Sequence, residues 1–181
     1  PEAETRRGNQ APRPAPAQAG PGPSPQGLSG IVSENETSQA SAQPFSELPL
    51  APAVLANLTQ LDYLTMTPIQ AASLPLALAG HDLIAQAKTG SGKTAAFALT
   101  LLHNLNSRRF AVQAMVLCPT RELADQVTQE IRRLARFEEN IKVLSLVGGS
   151  TLRNQATSLE NGVHVVVGTP GRLMDHMQRG Y

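Results

Sequence analysis

Ala87-Lys88-Thr89-Gly90-Ser91-Gly92-Lys93-Thr94 constrains this chain more than any other stretch. The run before it, Asp82-Leu83-Ile84-Ala85-Gln86, reads as a short buried strand. The residues after it, from Gly92 to Asn106, read as a helix. That helix is apolar almost all round, through Phe97, Leu99, Leu101, Leu102 and Leu105, which predicts central packing. Strand, glycine loop and helix, in that order, gather backbone N–H groups and a helix N-terminus around one small concavity suited to an anion. Lys88, Thr89, Gly90, Ser91 and Gly92 form the wall of that cradle. Lys93 is spaced to reach phosphate oxygens, and Thr94 to offer a hydroxyl to Mg²⁺. The bland alternative is a glycine-rich turn that binds nothing. The register of Lys93-Thr94 after Gly92 favours a nucleoside triphosphate site.

Strands and helices alternate around this unit. Pro52 to Leu61 reads as a helix with Val54, Leu55, Leu58 and Leu61 on one face. Thr67 caps a second helix that starts at Pro68 and meets a kink at Pro75. Beyond the loop helix, Gln113–Cys118 is a strand, and Arg121–Phe137 an amphipathic helix with Leu123, Val127, Ile131 and Leu134 inward. Lys142–Val147 is a strand, Thr151–Leu159 a helix, Val163–Val167 a strand, and a last helix begins near Pro170. This alternation predicts an α/β fold, a P-loop parallel sheet with helices on both faces.

Residues 1–44 are different. They hold Pro1, Pro12, Pro14, Pro16, Pro21, Pro23, Pro25 and Pro44, and apart from Leu28, Ile31 and Val32 they are almost bare of large apolar side chains. Such a segment buries too little surface to offset its ordering entropy, so it reads as a disordered tail ahead of a domain over 45–181. Arg6, Arg7 and Arg13 leave a weak RNA or protein contact open, with a plain linker preferred. The net charge of +1 does not announce a nucleic-acid binder. Cys118 is the single cysteine, which excludes an internal disulfide, and the histidines show no metal-ligand spacing. No apolar run is long enough to span a bilayer and no signal peptide is visible. These features predict a soluble, cytoplasmic, monomeric protein.

Parallel strands put their carboxyl ends on one edge of a sheet, where open α/β sheets bind ligands. Besides the loop, three junctions reach that edge: Pro119-Thr120-Arg121-Glu122-Leu123, Gly148-Gly149-Ser150-Thr151 and Thr169-Pro170-Gly171-Arg172. Each taken alone is an ordinary helix cap or turn. Together they suggest a second, longer, phosphate-bearing ligand, with Arg121 and Arg172 as cationic forks. A nucleic-acid backbone fits, contacted mainly at phosphate and sugar. Arg132, Arg133 and Arg136 read as a solvated helix face. Gln70 has two readings. It closes a capping box with Thr67, or it reads the N6 and N7 edge of an adenine. Phe45 is the only aromatic just upstream of the first helix that could stack on such a base.

In order along the chain, these motifs resemble the first RecA-like domain of the DEAD-box ATP-dependent RNA helicases. Asp62–Gln70 is similar to the adenine-reading Q motif, with Phe45 at the upstream aromatic position. Asp62 and Met66 replace the usual Gly and Pro of that motif. Ala87–Thr94 matches motif I, including its leading Ala. Pro119–Leu123 matches motif Ia, Gly148-Gly149 the double-glycine motif and Thr169–Arg172 motif Ib. Cys118–Val127 and Arg132–Phe137 look more narrowly like the bacterial DbpA type, which acts in assembly of the large ribosomal subunit. The resemblance implies an enzyme that couples ATP hydrolysis to RNA duplex unwinding, with ATP and Mg²⁺ as cofactors and RNA, above all ribosomal RNA, as partner. ATP falls to Phe45, Gln70 and Lys88–Thr94, with Lys93 and Thr94 in the phosphoryl chemistry and Thr94 on the metal. RNA falls to Pro119, Thr120, Arg121, Gly148, Gly149, Thr169, Pro170, Gly171 and Arg172.

The chain ends at Tyr181 before any Asp-Glu-Ala-Asp sequence. In the family that motif activates the attacking water. Its absence predicts that residues 1–181 alone neither hydrolyse ATP nor unwind RNA, and that sheet edges are exposed. The alternatives are another P-loop enzyme, such as a small-molecule kinase or a DNA helicase, or a binding module without turnover.

Overall fold

Residues 31–33 and 43–181 are described by the computed structural model. Two short parallel strands, β1 (Ile31–Ser33) and β2 (Ile84–Gln86), pair in register from Ile31 with Ile84 to Ser33 with Gln86. Three more, β3 (Ala114–Leu117), β4 (Val143–Leu146) and β5 (Val165–Gly168), form a parallel sheet of order β3-β5-β4. Val165 lies opposite both Ala114 and Val143, and Gly168 opposite both Leu117 and Leu146. The three carboxyl ends are therefore level on one edge. The helices are α1 (Pro52–Gln60), α2 (Pro68–Leu78), α3 (Lys93–His103), α4 (Arg121–Leu134), α5 (Leu152–Glu160) and α6 (Pro170–Gln178). Proline opens α1, α2 and α6, where its fixed φ and missing N–H cost nothing.

Central strand β5 explains the layering. Its side chains alternate faces, and both faces are covered. Val165 and Val167 join the larger core with Leu99 and Leu102 of α3 and Val127, Ile131 and Leu134 of α4. Val166 points the other way, into a smaller cluster with Leu146, Val163 and Leu173. A strand that reads Val-Val-Val-Gly, with no polar alternation, is what burial on both faces selects. The parallel sheet with helices on both faces matches the expectation from sequence.

Three local expectations need correction. The strand before the glycine loop is not buried: all of β2 is exposed, and Ile84 keeps 50 % of its surface. The reason is that β2 pairs with β1 and not with β3, leaving a groove of about 470 Å³ between them. Phe97 of α3 borders the same groove and is 39 % exposed. The loop helix is thus central through Ala95, Ala96, Ala98, Leu99 and Leu102, with Leu101 and Leu105 partly buried against the same core and Phe97 left at the groove. Leu123 faces the same open groove beside Val127, so it keeps 38 % of its surface where the sequence places it in the core. Open edges, expected from sequence, are present at β2 and β3.

The expected tail lies outside the described residues except at two places. Ile31–Ser33 form β1, and the backbone of Gln43–Pro44 pairs with the segment before α2. There Met66 N donates to Gln43 O at 2.7 Å. Among the described residues no helix is long and apolar enough to cross a membrane.

Candidate functional site

The glycine loop sits where sequence placed it, between β2 and α3, with Gly90 (φ +82°) and Gly92 (φ +91°) in left-handed geometry that favours glycine. Lys93 folds back over the loop. Its Nζ donates to Ala87 O, to Lys88 O at 2.6 Å and to Ser91 Oγ at 3.3 Å. The ammonium thus sits on the loop's own carbonyls, an arrangement that an incoming anion can exchange for its oxygens.

The segment before α2 braces this loop. Gln70, 1 % exposed, accepts from Thr67 N at 2.9 Å through Oε1, and its Nε2 donates to Gly92 O at 3.1 Å. Thr67 Oγ1 donates to Ser91 O at 2.8 Å. Gly92 O also accepts the first-turn N–H of Ala96 at 3.2 Å, so both its lone pairs are used. A Cβ on Gly92 would stand 2.4 Å from Gln70 Nε2 and 3.1 Å from Thr67 Oγ1. The glutamine half of the capping box therefore forms, and the same side chain locks the cradle from behind.

Phe45 lies in the core at 2 % exposure, edge-on to Tyr63 with ring centroids 6.2 Å apart. Tyr63 is held in turn by α4. Its hydroxyl donates to Glu130 Oε1 at 2.7 Å and accepts from Arg133 Nη2 at 2.8 Å. Burial first, and then the Glu130 carboxylate, push this phenol above its ordinary value. Arg132 and Arg133 are consequently more than a solvated face. Arg133 completes the Tyr63 cluster, and Arg132 donates to Val143 O on edge strand β4 at 2.7 Å.

The remaining junctions meet at the carboxyl edge of the three-stranded sheet. Thr120 caps α4, its Oγ1 accepting from Leu123 N at 3.2 Å. Arg121, next in the chain, lays its guanidinium along the double glycine. A Cβ on Gly148 would stand 2.7 Å from Arg121 Nη2, and one on Gly149 3.7 Å from Nη1. A side chain at 148 would displace the arginine from this place. Thr169 and Pro170 open α6 from the end of β5, and Arg172 Nη1 reaches back to Ser150 O at 3.2 Å. Gly171 is exposed with nothing near its missing Cβ. The groove between β2 and β3 is lined by Lys93 and Thr94 at the loop and by Leu117 and Cys118 at the end of β3, just before the Pro119–Arg121 junction. Burial pushes the Cys118 thiol up, in keeping with a small core residue.

Sequence reasoning missed Gln155 and His176. Gln155 is 5 % exposed and His176 2 %, and they bond to each other at 2.9 Å. The available signal was a polar residue on the inward face of α5, next to Ala156.

The DEAD/DEAH box helicase family model matches residues 67–181, from the threonine that braces the glycine loop to the chain's last residue. The chain belongs to this family. ATP-dependent RNA helicase DbpA of Escherichia coli is 60 % identical over 131 residues, covering 72 % of this chain and 29 % of that protein. ATP-dependent RNA helicase DeaD of Buchnera aphidicola is 49 % identical over 136 residues, covering 75 % and 23 %. The helicase-family chain thus spans less than a third of the length of these curated relatives. Among solved structures, a DEAD box protein from Methanococcus jannaschii superposes with a TM-score of 0.71 at 40 % identity, covering 76 % of this chain and 37 % of that one. Saccharomyces cerevisiae Dbp5 bound to RNA and ADP BeF3 gives 0.67 at 36 % identity, covering 76 % and 34 %.

Proposed function

We propose that this chain is the ATP-binding portion of a cytoplasmic ATP-dependent RNA helicase of the DbpA type, coupling ATP hydrolysis to RNA unwinding during large ribosomal subunit assembly. The observation that carries the reading is the groove beside the braced loop. It runs from Lys93 and Thr94 of the braced loop to the end of β3, where the Arg121–Gly148 contact begins the second row. The name of the E. coli relative and the RNA and ADP BeF3 of the yeast neighbour support the assignment.

Each residue's part follows from its present partners. Lys93 exchanges the carbonyls of Ala87 and Lys88 for phosphate oxygens. Gln70 reads an adenine edge by exchanging its bonds to Thr67 N and Gly92 O, so base recognition loosens the brace on the cradle. Phe45 stacks on the base only on leaving its edge contact with Tyr63. Thr94 fits Mg²⁺ as a single hydroxyl ligand at the start of α3, since this ion takes much of its shell from phosphates and water. When bound, Mg²⁺ supplies charge neutralisation at the phosphates. Among the described residues no carboxylate lines the groove beside Lys93 and Thr94, which supports a chain that holds nucleotide without positioning an attacking water. Thr120, Arg121, Gly148, Gly149, Thr169, Pro170 and Arg172 contact the RNA backbone, with exposed Gly171 allowing close approach.

Titration with ATP and GTP tests this. Lys93→Ala is expected to abolish binding of both, and Gln70→Ala to remove the preference for ATP. An unchanged preference favours another P-loop enzyme. RNA-dependent ATP turnover by the 181-residue chain overturns the reading that it lacks the hydrolytic machinery.

A further inference from the structure

Gln155 lies behind exposed Arg121 and half-buried Arg172, and its amide is saturated. Nε2 donates to Val147 O at 3.0 Å and to Ser150 Oγ at 2.7 Å. Oε1 faces Arg172 Nη1 at 3.3 Å and His176 Nε2 at 2.9 Å. A primary amide has two N–H donors and two acceptor lone pairs, and here every one is used. The orientation is fixed, because a flipped amide would aim its N–H groups at the Arg172 donor and its oxygen at Val147 O. His176 must then carry its proton on Nε2, which leaves its buried Nδ1 as a bare lone pair without a partner among the described residues.

These four bonds span the two ends of the double-glycine loop and the first two turns of α6. Val147 and Ser150 bracket Gly148 and Gly149, the backbone on which the Arg121 guanidinium lies. Arg172 is tied to the same loop twice, directly through Ser150 O and indirectly through Gln155. We infer that Gln155 is a positioning residue for the RNA-binding face: it sets the spacing and orientation of Arg121 and Arg172 by clamping the double-glycine loop to the start of α6, without touching RNA itself. The inference rests on the RNA-facing reading of those arginines.

The test uses the 181-residue chain and a fluorescein-labelled single-stranded RNA, followed by anisotropy and ultraviolet cross-linking over a range of salt concentrations. Gln155→Leu keeps the volume and removes all four bonds. It is expected to weaken RNA binding about tenfold. The salt slope should fall by roughly 0.7 for each phosphate that the arginines no longer engage. ATP binding, which depends on the glycine loop that none of the four bonds touches, stays unchanged and shows that the variant is folded. Gln155→Glu provides the second variant. It keeps the acceptor towards Arg172 but loses both donations to the loop, so it should reproduce the effect of Arg121→Ala and add little to it in the double variant. Should Arg121→Ala and Arg172→Ala weaken RNA binding while both Gln155 variants match the wild type in affinity and slope, the positioning role is wrong and the RNA face stands. Should the arginine variants have no effect, or the wild type take up no RNA, the RNA-facing reading itself is wrong.

Discussion

Gly92→Ala puts the brace on the glycine loop to a quantitative test. At φ +91° an alanine is in left-handed backbone, which costs about 1–2 kcal/mol. Its Cβ would also stand 2.4 Å from Gln70 Nε2, too close for any real contact. Gln70 must move, and it is 1 % exposed with both ends of its amide bonded. Losing its bonds to Thr67 N and Gly92 O adds about 1 kcal/mol each. The sum is roughly 3–4 kcal/mol. Gly90→Ala is the internal control. Its φ is +82°, but nothing lies within 4 Å of the added carbon, so only the backbone cost of about 1–2 kcal/mol applies. Urea unfolding of the two variants should therefore separate them by about 2 kcal/mol. A Gln70→Ala background removes the clash, and the double variant should be less destabilised than the sum of the singles. Equal stability for Gly92→Ala and Gly90→Ala, or strict additivity with Gln70→Ala, refutes the claim that glycine is required at 92 by the glutamine behind it.

Other outcomes follow from buried groups elsewhere. His164, 0 % exposed, accepts from Lys142 N at 3.1 Å through Nδ1 and donates to Ser107 O at 3.1 Å through Nε2, so His164→Phe strands both partners and should cost about 2–3 kcal/mol in urea unfolding. Asn57→Ala removes the bond from Nδ2 to Leu134 O at 2.9 Å, which ties α1 to the end of α4, and should cost about 1–2 kcal/mol by the same assay. His176 is held below its ordinary value by burial first and by the Arg172 charge second. In the window between its folded value and the unfolded value near 6.5 the unfolded chain binds more protons, so stability falls as pH drops below about 6.5 and is unaffected above it. The stability difference between wild type and His176→Phe should narrow as the pH is lowered from about 7 to about 5, and a difference that is flat with pH would count against a neutral buried imidazole.

What was legible in the sequence was local. The glycine loop, the prolines opening α1, α2 and α6, the Thr120 cap and the Val-Val-Val strand each depend on interactions within one turn or one strand, and each lies where its pattern placed it. Element ends differ by one to three residues, as at α3, which stops at His103 rather than Asn106. The exposure of β2 and of Leu123 was not legible, because both depend on what packs across from them. Tertiary structure alone decided the partners. Gln70 and Gly92 are 22 residues apart, and Gln155 and His176 are 21 apart. No spacing rule connects such positions, since their meeting depends on how strands align in register and where the following helices begin. The sequence by itself determined that a glycine loop ahead of a helix and a row of helix N-termini exist. Only the packed chain decided that Gln70 locks the cradle, that Arg121 lies on Gly148, and that a single buried amide holds the far end of the row in place.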